Sequence, residues 1–434
     1  MHLVQFNNKG KKIYYLSYFG YLFLVPFVFY KNSNYKTTFL LTKKTNYELR
    51  SSDKVYEPEL HFIPLSGNLT QMKYFFESLK KSGKEKIRVA HYGDSGLLGD
   101  AITADLREAL QEKFGGNGVG LLPITNYQYY YRCTINQSTS NNWTTYSVVT
   151  NPYSGFSYGI DGSVTIPKGI CWTKYTTSNY FNNLKYFKMA KIFYNDAQPS
   201  TIDYSFDNGL IQKATLEGGA SIHELKLLAP GNGAESFKFS TTISKQANFY
   251  DVSLEDGNGV YVDNFSWSGN TGLGFDYIPK SSFLQFGKML NYKLFIIAFG
   301  ANETNFQSSQ SNIWYENEMI KIINNLKNEL PKTSFLLIGV GDKGFKDGKR
   351  FITNPNIPVI LKLEEDIAKK TSIAFWNLFD AMGGYGTMVK WVNANPPLAL
   401  IDYIHPSPLG SKKIGEMLAS VIISAFNNYI SISK

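Results

Sequence analysis

One serine of this chain stands where a nucleophile is expected. Residues 87–92 read as a buried strand, and Gly93-Asp94-Ser95-Gly96 is the turn that leads from it into a helix. In α/β sheets the crevice at the carboxyl ends of the strands is where ligands and nucleophiles sit. A serine hydroxyl reacts only when a base takes its proton and an acid holds that base in one tautomer. The chain has five histidines. His2 precedes an apolar N-terminal run, and His61 lies in or near a linker. His91 is on the strand of the serine, four residues before it, and reads as a structural or rim residue. His223 falls in a β-rich stretch. His405 remains, in Leu400-Ile401-Asp402-Tyr403-Ile404-His405-Pro406, a loop ahead of the last helix. Asp402, three residues earlier, can fold back onto the imidazole. The same Asp-x-x-His also fits a turn that only caps the helix.

Acyl transfer needs donors for a developing oxyanion. The N–H of Ser95 is one candidate. Gly269, in Ser268-Gly269-Asn270, follows a strand over 259–263, and a glycine exposes its N–H with no side chain in the way. Asn302, in Gly300-Ala301-Asn302, follows a strand over 293–299 and carries a neutral amide. Taken singly, each of these also reads as an ordinary turn.

These residues need a scaffold. A helix over 69–82 has Met72, Phe75, Phe76 and Leu79 on one face, and a second begins near Gly99 with Ile102, Leu106, Leu110 and Phe114 spaced four apart. It stops at Gly115-Gly116. Strand, turn and helix open a parallel α/β sheet. From 125 to 258 the texture is Tyr, Thr, Ser, Asn and Gly in short alternating runs, which predicts an all-β sandwich. Strands at 259–263, 293–299, 334–341 and 373–376 then alternate with helices at 313–330, 359–370 and 409–426. Neither α/β part holds enough strands alone. The expected fold is therefore α/β, a doubly wound parallel sheet interrupted by an inserted β-sandwich. The divisions are 61–124 and 259–434 for the α/β domain and 125–258 for the insert.

Of the 434 residues 43% are hydrophobic and 18% charged, as in a globular protein. The net charge of +9 fits either lysine-rich helix surfaces or an acidic partner such as a membrane surface or wall polymer. No arginine-rich stripe or recognition motif points to nucleic acid. Cys133 and Cys171 are too few and too far apart for a zinc site; they either form a disulfide or stay as two thiols. No metal or cofactor is expected. Lys9, Lys11 and Lys12 precede the uncharged run 13–30, which is long enough to span a bilayer or serve for export. Residues 1–34 are read as a signal peptide or uncleaved signal anchor, and 35–60 as a polar, lysine-rich linker. The expected location is the periplasm or cell envelope.

Taken together and in order, the stretches resemble the SGNH (GDSL) hydrolase family. Gly93-Asp94-Ser95 matches its first block, Gly269 its second, Gly300-Ala301-Asn302 its third and Asp402-Tyr403-Ile404-His405 its fifth. The resemblance implies a flavodoxin-like three-layer sandwich with Ser95, His405 and Asp402 as triad. It also implies Ser95 N–H, Gly269 N–H and the Asn302 side chain as oxyanion hole. Gly96 departs from the bulky aliphatic residue common at that position. His91-Tyr92 before the block, Gly99-Asp100, Leu106-Arg107, Phe114–Gly120, Phe375-Trp376, Ala381–Gly384 and Trp391 resemble the bacterial peptidoglycan O-acetylesterase branch. In that branch a carbohydrate-binding-type sandwich is inserted between the first and second blocks. The implied activity is removal of O-acetyl groups from peptidoglycan. The alternatives are an esterase or O-acetyltransferase for another exported polysaccharide, and a non-catalytic wall-binding protein. Trp143, Trp172 and Tyr127–Tyr131 are candidates for sugar stacking or for sandwich core. Met382-Gly383-Gly384 reads as a close-packed rim loop or a plain turn.

Overall fold

The computed structural model describes residues 60–128, 131–306 and 308–432, with the backbone of His2–Asn8, Lys11–Tyr18 and Tyr21–Leu22. Those three N-terminal strands form an antiparallel sheet in chain order, within a unit of their own. The described part of the apolar run is thus extended. The rest of that run and the linker up to residue 59 lie outside the described residues. Among the described residues, no helix is long and apolar enough to cross a membrane.

In the larger unit five parallel strands form the central sheet: β1 (Lys86–Gly93), β2 (Gly259–Ser266), β3 (Tyr292–Ala298), β4 (Ser334–Gly339) and β5 (Ala374–Asn377). Their order is β2-β1-β3-β4-β5, and the two-residue strand Ser66–Gly67 adds antiparallel to β5. β2 and β4 are buried along their whole length, as expected where helices cover both faces of a parallel sheet. Along β1 the faces alternate. Ile87 and Val89 meet α1 (Lys73–Leu79), α2 (Thr103–Phe114) and the long C-terminal helix Pro408–Ile432. Ala90 and Tyr92 meet α3 (Lys280–Leu290), α4 (Ser309–Glu329) and α5 (Ile357–Thr371). This is the predicted three-layer arrangement. The sequence reading contains no helix at α3, whose buried face is only Ser282, Phe283, Phe286 and Leu290.

Register aligns the strand ends. Ser266 of β2 and Ala298 of β3 both pair with Gly93 of β1. The turns that follow these three strands therefore emerge side by side.

The insert is a sandwich of two antiparallel sheets. One has the order Gln212–Leu216, Ser200–Phe206, Ser236–Ser240, Trp172–Thr177, Ile135–Thr139. The other has His223–Leu228, Met189–Asn195, Asn248–Asp256, Ser163–Pro167, Trp143–Ser147, and Asn117–Pro123 also pairs with Asn248–Asp256. The sandwich thus starts at Asn117, ahead of residue 125. Glycine-rich Asn117-Gly118-Val119-Gly120 hides this strand in the sequence, because Gly118 and Gly120 are at positive φ and glycine is depleted in strands. A buried cluster ties the two domains together. Arg88 of β1 donates to both oxygens of Asp263 on β2 (2.7 and 2.6 Å) and to Ser253 Oγ (2.5 Å) and Glu255 on the insert. Tyr292 OH donates to Asp263 as well (2.6 Å).

Candidate active site

The serine turn starts at Gly93, where an added Cβ would lie 2.7 Å from the Ala298 carbonyl oxygen, so the neighbouring strand leaves room only for glycine. Asp94 then closes the turn. Its Oδ1 accepts from Gly96 N (2.8 Å), and its carbonyl accepts from Ser266 Oγ on β2 (2.9 Å). Ser95 opens a 3-10 turn, and the backbone kinks at Leu98 and Gly99 before it reaches Asp100. Asp100 is buried, with φ +71, and is held by Arg107 (2.7 and 3.0 Å), Arg132 (3.0 Å) and Thr134. Burial pushes its carboxyl up, but the two guanidinium groups outweigh this and bring it to about 2. The turn is thereby bolted to α2 and to the insert.

Asp402 and His405 are brought to this turn from the far end of the chain. Ser95 Oγ is 2.8 Å from His405 Nε2, and His405 Nδ1 is 2.8 Å from Asp402 Oδ2. Asp402 Oδ1 accepts from Ile404 N (2.9 Å) and His405 N (3.1 Å). Burial pushes the Asp402 carboxyl up, but bonding to the imidazole and these two N–H groups leaves it below the usual range. Leu400 N donates to the His405 carbonyl (2.8 Å), which closes the loop. The alternative of a simple helix cap fails, because Ser407 does the capping. Its Oγ accepts from Gly410 N (3.2 Å) and its carbonyl from Ser411 N (2.8 Å). Tyr403, between Asp402 and His405, has φ +59, a left-handed conformation that costs a non-glycine residue about 1–2 kcal/mol. Under the loop lies an apolar cluster in which Leu97 and Ile102 pack with Met382, Met388, Trp391, Leu398 and Ile414. Met382 is therefore core. Gly383 and Gly384 simply end the short helix Leu378–Met382 by donating to Asp380 and Phe379.

The oxyanion candidates converge on the same place. Trp267 N donates to the Gly93 carbonyl (2.7 Å), which ties the second stretch to the serine turn. Gly269 has φ +75, and a Cβ there would meet nothing within 4 Å. Its N–H and that of Ser95 have no acceptor among the described residues. Asn302 Nδ2 donates to the Asn270 carbonyl (3.0 Å) and, loosely, to Asp94 Oδ2 (3.4 Å). The amide is thus aimed at the serine turn, with one hydrogen only weakly held.

Sequence reasoning missed the groups behind these donors. Gly300 N donates to Glu303 Oε2 (3.0 Å), Val340 N donates to Glu364 Oε2 (2.7 Å), and a Cβ on Gly300 would lie 2.6 Å from Glu364 Oε1. Burial pushes Glu303 up to about 7 and Glu364 well above its ordinary value; Asp94 raises both further, and Glu303 also raises Glu364. Ser268 N donates to Gln128 Oε1 of the insert (3.0 Å), and Trp267 Nε1 to the Asp161 carbonyl (2.8 Å). No residue-type signal marks such contacts, since each depends on which loops the fold brings together.

The other candidates sit elsewhere. His91 is fully buried, its Nδ1 3.0 Å from Thr103 Oγ1, and burial drops it to about 3. It is structural. His223 stacks on Tyr194 in the sandwich, and His61 is exposed. Trp143 packs edge-on against Phe249 in the sandwich core. Trp172 lies under Lys238 Nζ, 5.0 Å from the ring centroid. Tyr131 is exposed, and residues 129–130 lie outside the described residues. Cys133 and Cys171 are both free thiols.

No family model matches the sequence, and no curated protein matches it. Solved structures do. A peptidoglycan O-acetylesterase superposes with a TM-score of 0.69 at 19% identity, over 84% of this chain and 99% of that one. A family two carbohydrate esterase from Cellvibrio japonicus (TM-score 0.27, 10% identity, 67% and 99% covered) and a Bacillus subtilis protein (0.31, 11%, 66% and 90%) overlap too loosely to bear on the fold. The chain therefore shares the fold of that peptidoglycan O-acetylesterase, a parallel α/β sheet with a β-sandwich set between the serine turn and the remaining stretches.

Proposed function

We propose that this protein is a serine esterase that removes O-acetyl groups from peptidoglycan. The observation that carries the reading is the continuous relay from Asp402 Oδ2 to His405 Nδ1 and from His405 Nε2 to Ser95 Oγ, both links 2.8 Å. In such a relay Ser95 Oγ attacks the acetyl carbonyl while His405 takes its proton. The tetrahedral oxyanion is held by the N–H groups of Ser95 and Gly269 and by the Asn302 amide. Collapse expels the sugar hydroxyl, protonated by His405, and leaves acetyl-Ser95. His405 then deprotonates a water that releases acetate, while Asp402 stabilises the imidazolium at each step.

Two features support a glycan as substrate. The triad is open to solvent, with the Asp402 and His405 side chains 36% and 28% exposed, as suits a small acyl group on a bulky polymer. The superposition on a peptidoglycan O-acetylesterase spans nearly all of that protein. A peptidoglycan substrate places the protein in the periplasm or cell envelope, with the run 13–30 as signal or membrane anchor. The test is acetate release by the purified chain from O-acetylated peptidoglycan, set against acetylated xylan. Faster release from xylan would move the substrate to another polysaccharide. No release from either, or equal release by Ser95→Ala, would remove the esterase reading.

A further inference from the structure

Between β4 and α5 the chain folds a hairpin, Gly344–Asp347 paired with Arg350–Thr353, that contributes no group to the triad or to the oxyanion donors. It nevertheless touches both. Lys343, at its base, donates from Nζ to the Ala301 carbonyl (2.8 Å) and Thr304 Oγ1 (2.9 Å). These residues flank Asn302 and Glu303, so Lys343 grips the turn that aims the Asn302 amide. The next residue, Gly344, donates its N–H to the Tyr403 carbonyl (2.6 Å). A Cβ on Gly344 would stand 2.5 Å from Tyr403 Cβ, so this approach is open only to glycine. From the opposite strand the Phe351 ring lies flat on the Tyr403 ring, centroids 3.7 Å apart and planes 5° from parallel.

The hairpin is itself anchored. Asn354 N donates to the Lys343 carbonyl (2.7 Å), and Gly386 N donates to Thr353 Oγ1 (2.7 Å). Tyr403 separates Asp402 from His405 and holds a left-handed φ, which persists only where the surroundings over-determine it. Within the loop, Tyr403 N donates to the Leu400 carbonyl (3.0 Å). The Gly344 bond and the Phe351 stack reach Tyr403 from outside.

We propose that the segment Lys343–Thr353 is a positioning element that couples the oxyanion loop to the base loop, with the Phe351–Tyr403 stack setting the register of Asp402 and His405 against Ser95. The proposal rests on reading those three residues as the triad. Phe351 and Lys343 act through other residues and touch no reacting atom.

Phe351→Ala in the full chain tests it. The expected result is a fall in kcat for acetate release of about 10- to 100-fold with KM within about twofold, since misplacing a base slows chemistry more than binding. The low-field Nδ1–H proton resonance of His405, which reports its bond to Asp402, is lost or broadened in this variant. Phe351→Tyr, which keeps the flat ring, restores both. Phe351→Leu, which keeps apolar volume without the flat face, shows the loss at an unchanged melting temperature and so separates positioning from unfolding. Ile352→Ala, an exposed neighbour on the hairpin, changes neither readout. A Phe351→Leu enzyme with kcat within about twofold of wild type and an intact His405 resonance overturns the proposal. If the wild-type chain releases no acetate, the esterase reading fails, and the resonance comparison alone decides the positioning role.

Discussion

Ser95 Oγ and His405 Nε2 meet at 2.8 Å although 310 positions separate them in the chain. The meeting is enforced by apolar packing, since Leu97 and Ile102 share one buried cluster with Trp391, Leu398 and Ile414. The polar residues on top of that cluster can be changed without disturbing it. Ser95→Ala and His405→Ala are expected to lower kcat for acetate release by at least about 10³-fold, and Asp402→Asn by about 10²–10⁴-fold. Melting temperatures should stay within a few degrees of wild type. Steady-state kinetics beside thermal unfolding checks both halves.

The proposed oxyanion donors separate chemistry from backbone strain. Asn302→Ala removes a donor aimed at the serine turn and is expected to cost about 10²–10³-fold in kcat with KM little changed. Gly269 has open space around a Cβ but a φ of +75. The cost of substitution there is conformational, about 1–2 kcal/mol for a β-branched residue. Gly269→Asn should therefore fold better and retain more activity than Gly269→Val, because asparagine tolerates the left-handed region. Equal damage from the two would mean that the loop is limited by space.

The joint between sheet and sandwich makes a stability prediction. Arg88 is fully buried and neutralises Asp263 and Glu255. Arg88→Met would leave buried Asp263 without its cationic partner and Glu255 with only Lys86 and Lys191, and is expected to cost about 3–5 kcal/mol. Lys362→Ala breaks only exposed pairs with Glu365 and Asp366 on α5 and should leave stability almost unchanged. Chemical denaturation of both variants gives the comparison.

The acids behind the Asn302 loop predict a pH dependence. Glu303, pushed up to about 7 from an ordinary 4.5, and Glu364, raised well above 4.5, hold more protons in the folded chain than in the unfolded one. Their contribution to stability is complete below about pH 4.5 and declines as pH rises, that of Glu303 being lost through about 7, at up to about 1.4 kcal/mol per pH unit for each titrating group. Glu364→Gln removes one of the two. It should flatten the decline in stability between pH 5 and 8, with the gap to wild type widening as pH rises. A parallel decline in both proteins would refute the assignment.

Much of the site was legible because a few residue types occur at strand ends. A serine between Asp94 and Gly96, a glycine at 269, an asparagine at 302 and an Asp-x-x-His near the last helix each occupy one loop, and strand periodicity locates those loops. The elements with weak local signals were not legible. α3 has a short apolar face interrupted by Gly287, the first sandwich strand is masked by Gly118 and Gly120, and the hairpin that contacts Tyr403 carries no motif. His91 shows the limit of residue type alone, since its role is decided by complete burial.

By itself the sequence determined which residue types were available for acyl transfer, their order along the chain, and the alternation of strands and helices that makes a parallel sheet. These follow from local periodicity and turn chemistry. Only the tertiary structure decided that the loops after β1, β2 and β3 emerge together, because strand register is a property of pairs of strands. It also decided that Asp402 serves His405 while Ser407 caps the helix, that two buried acids stand behind Asn302, and that Phe351 lies on Tyr403. Each of these depends on distances between groups far apart in the chain, which packing sets and local sequence does not.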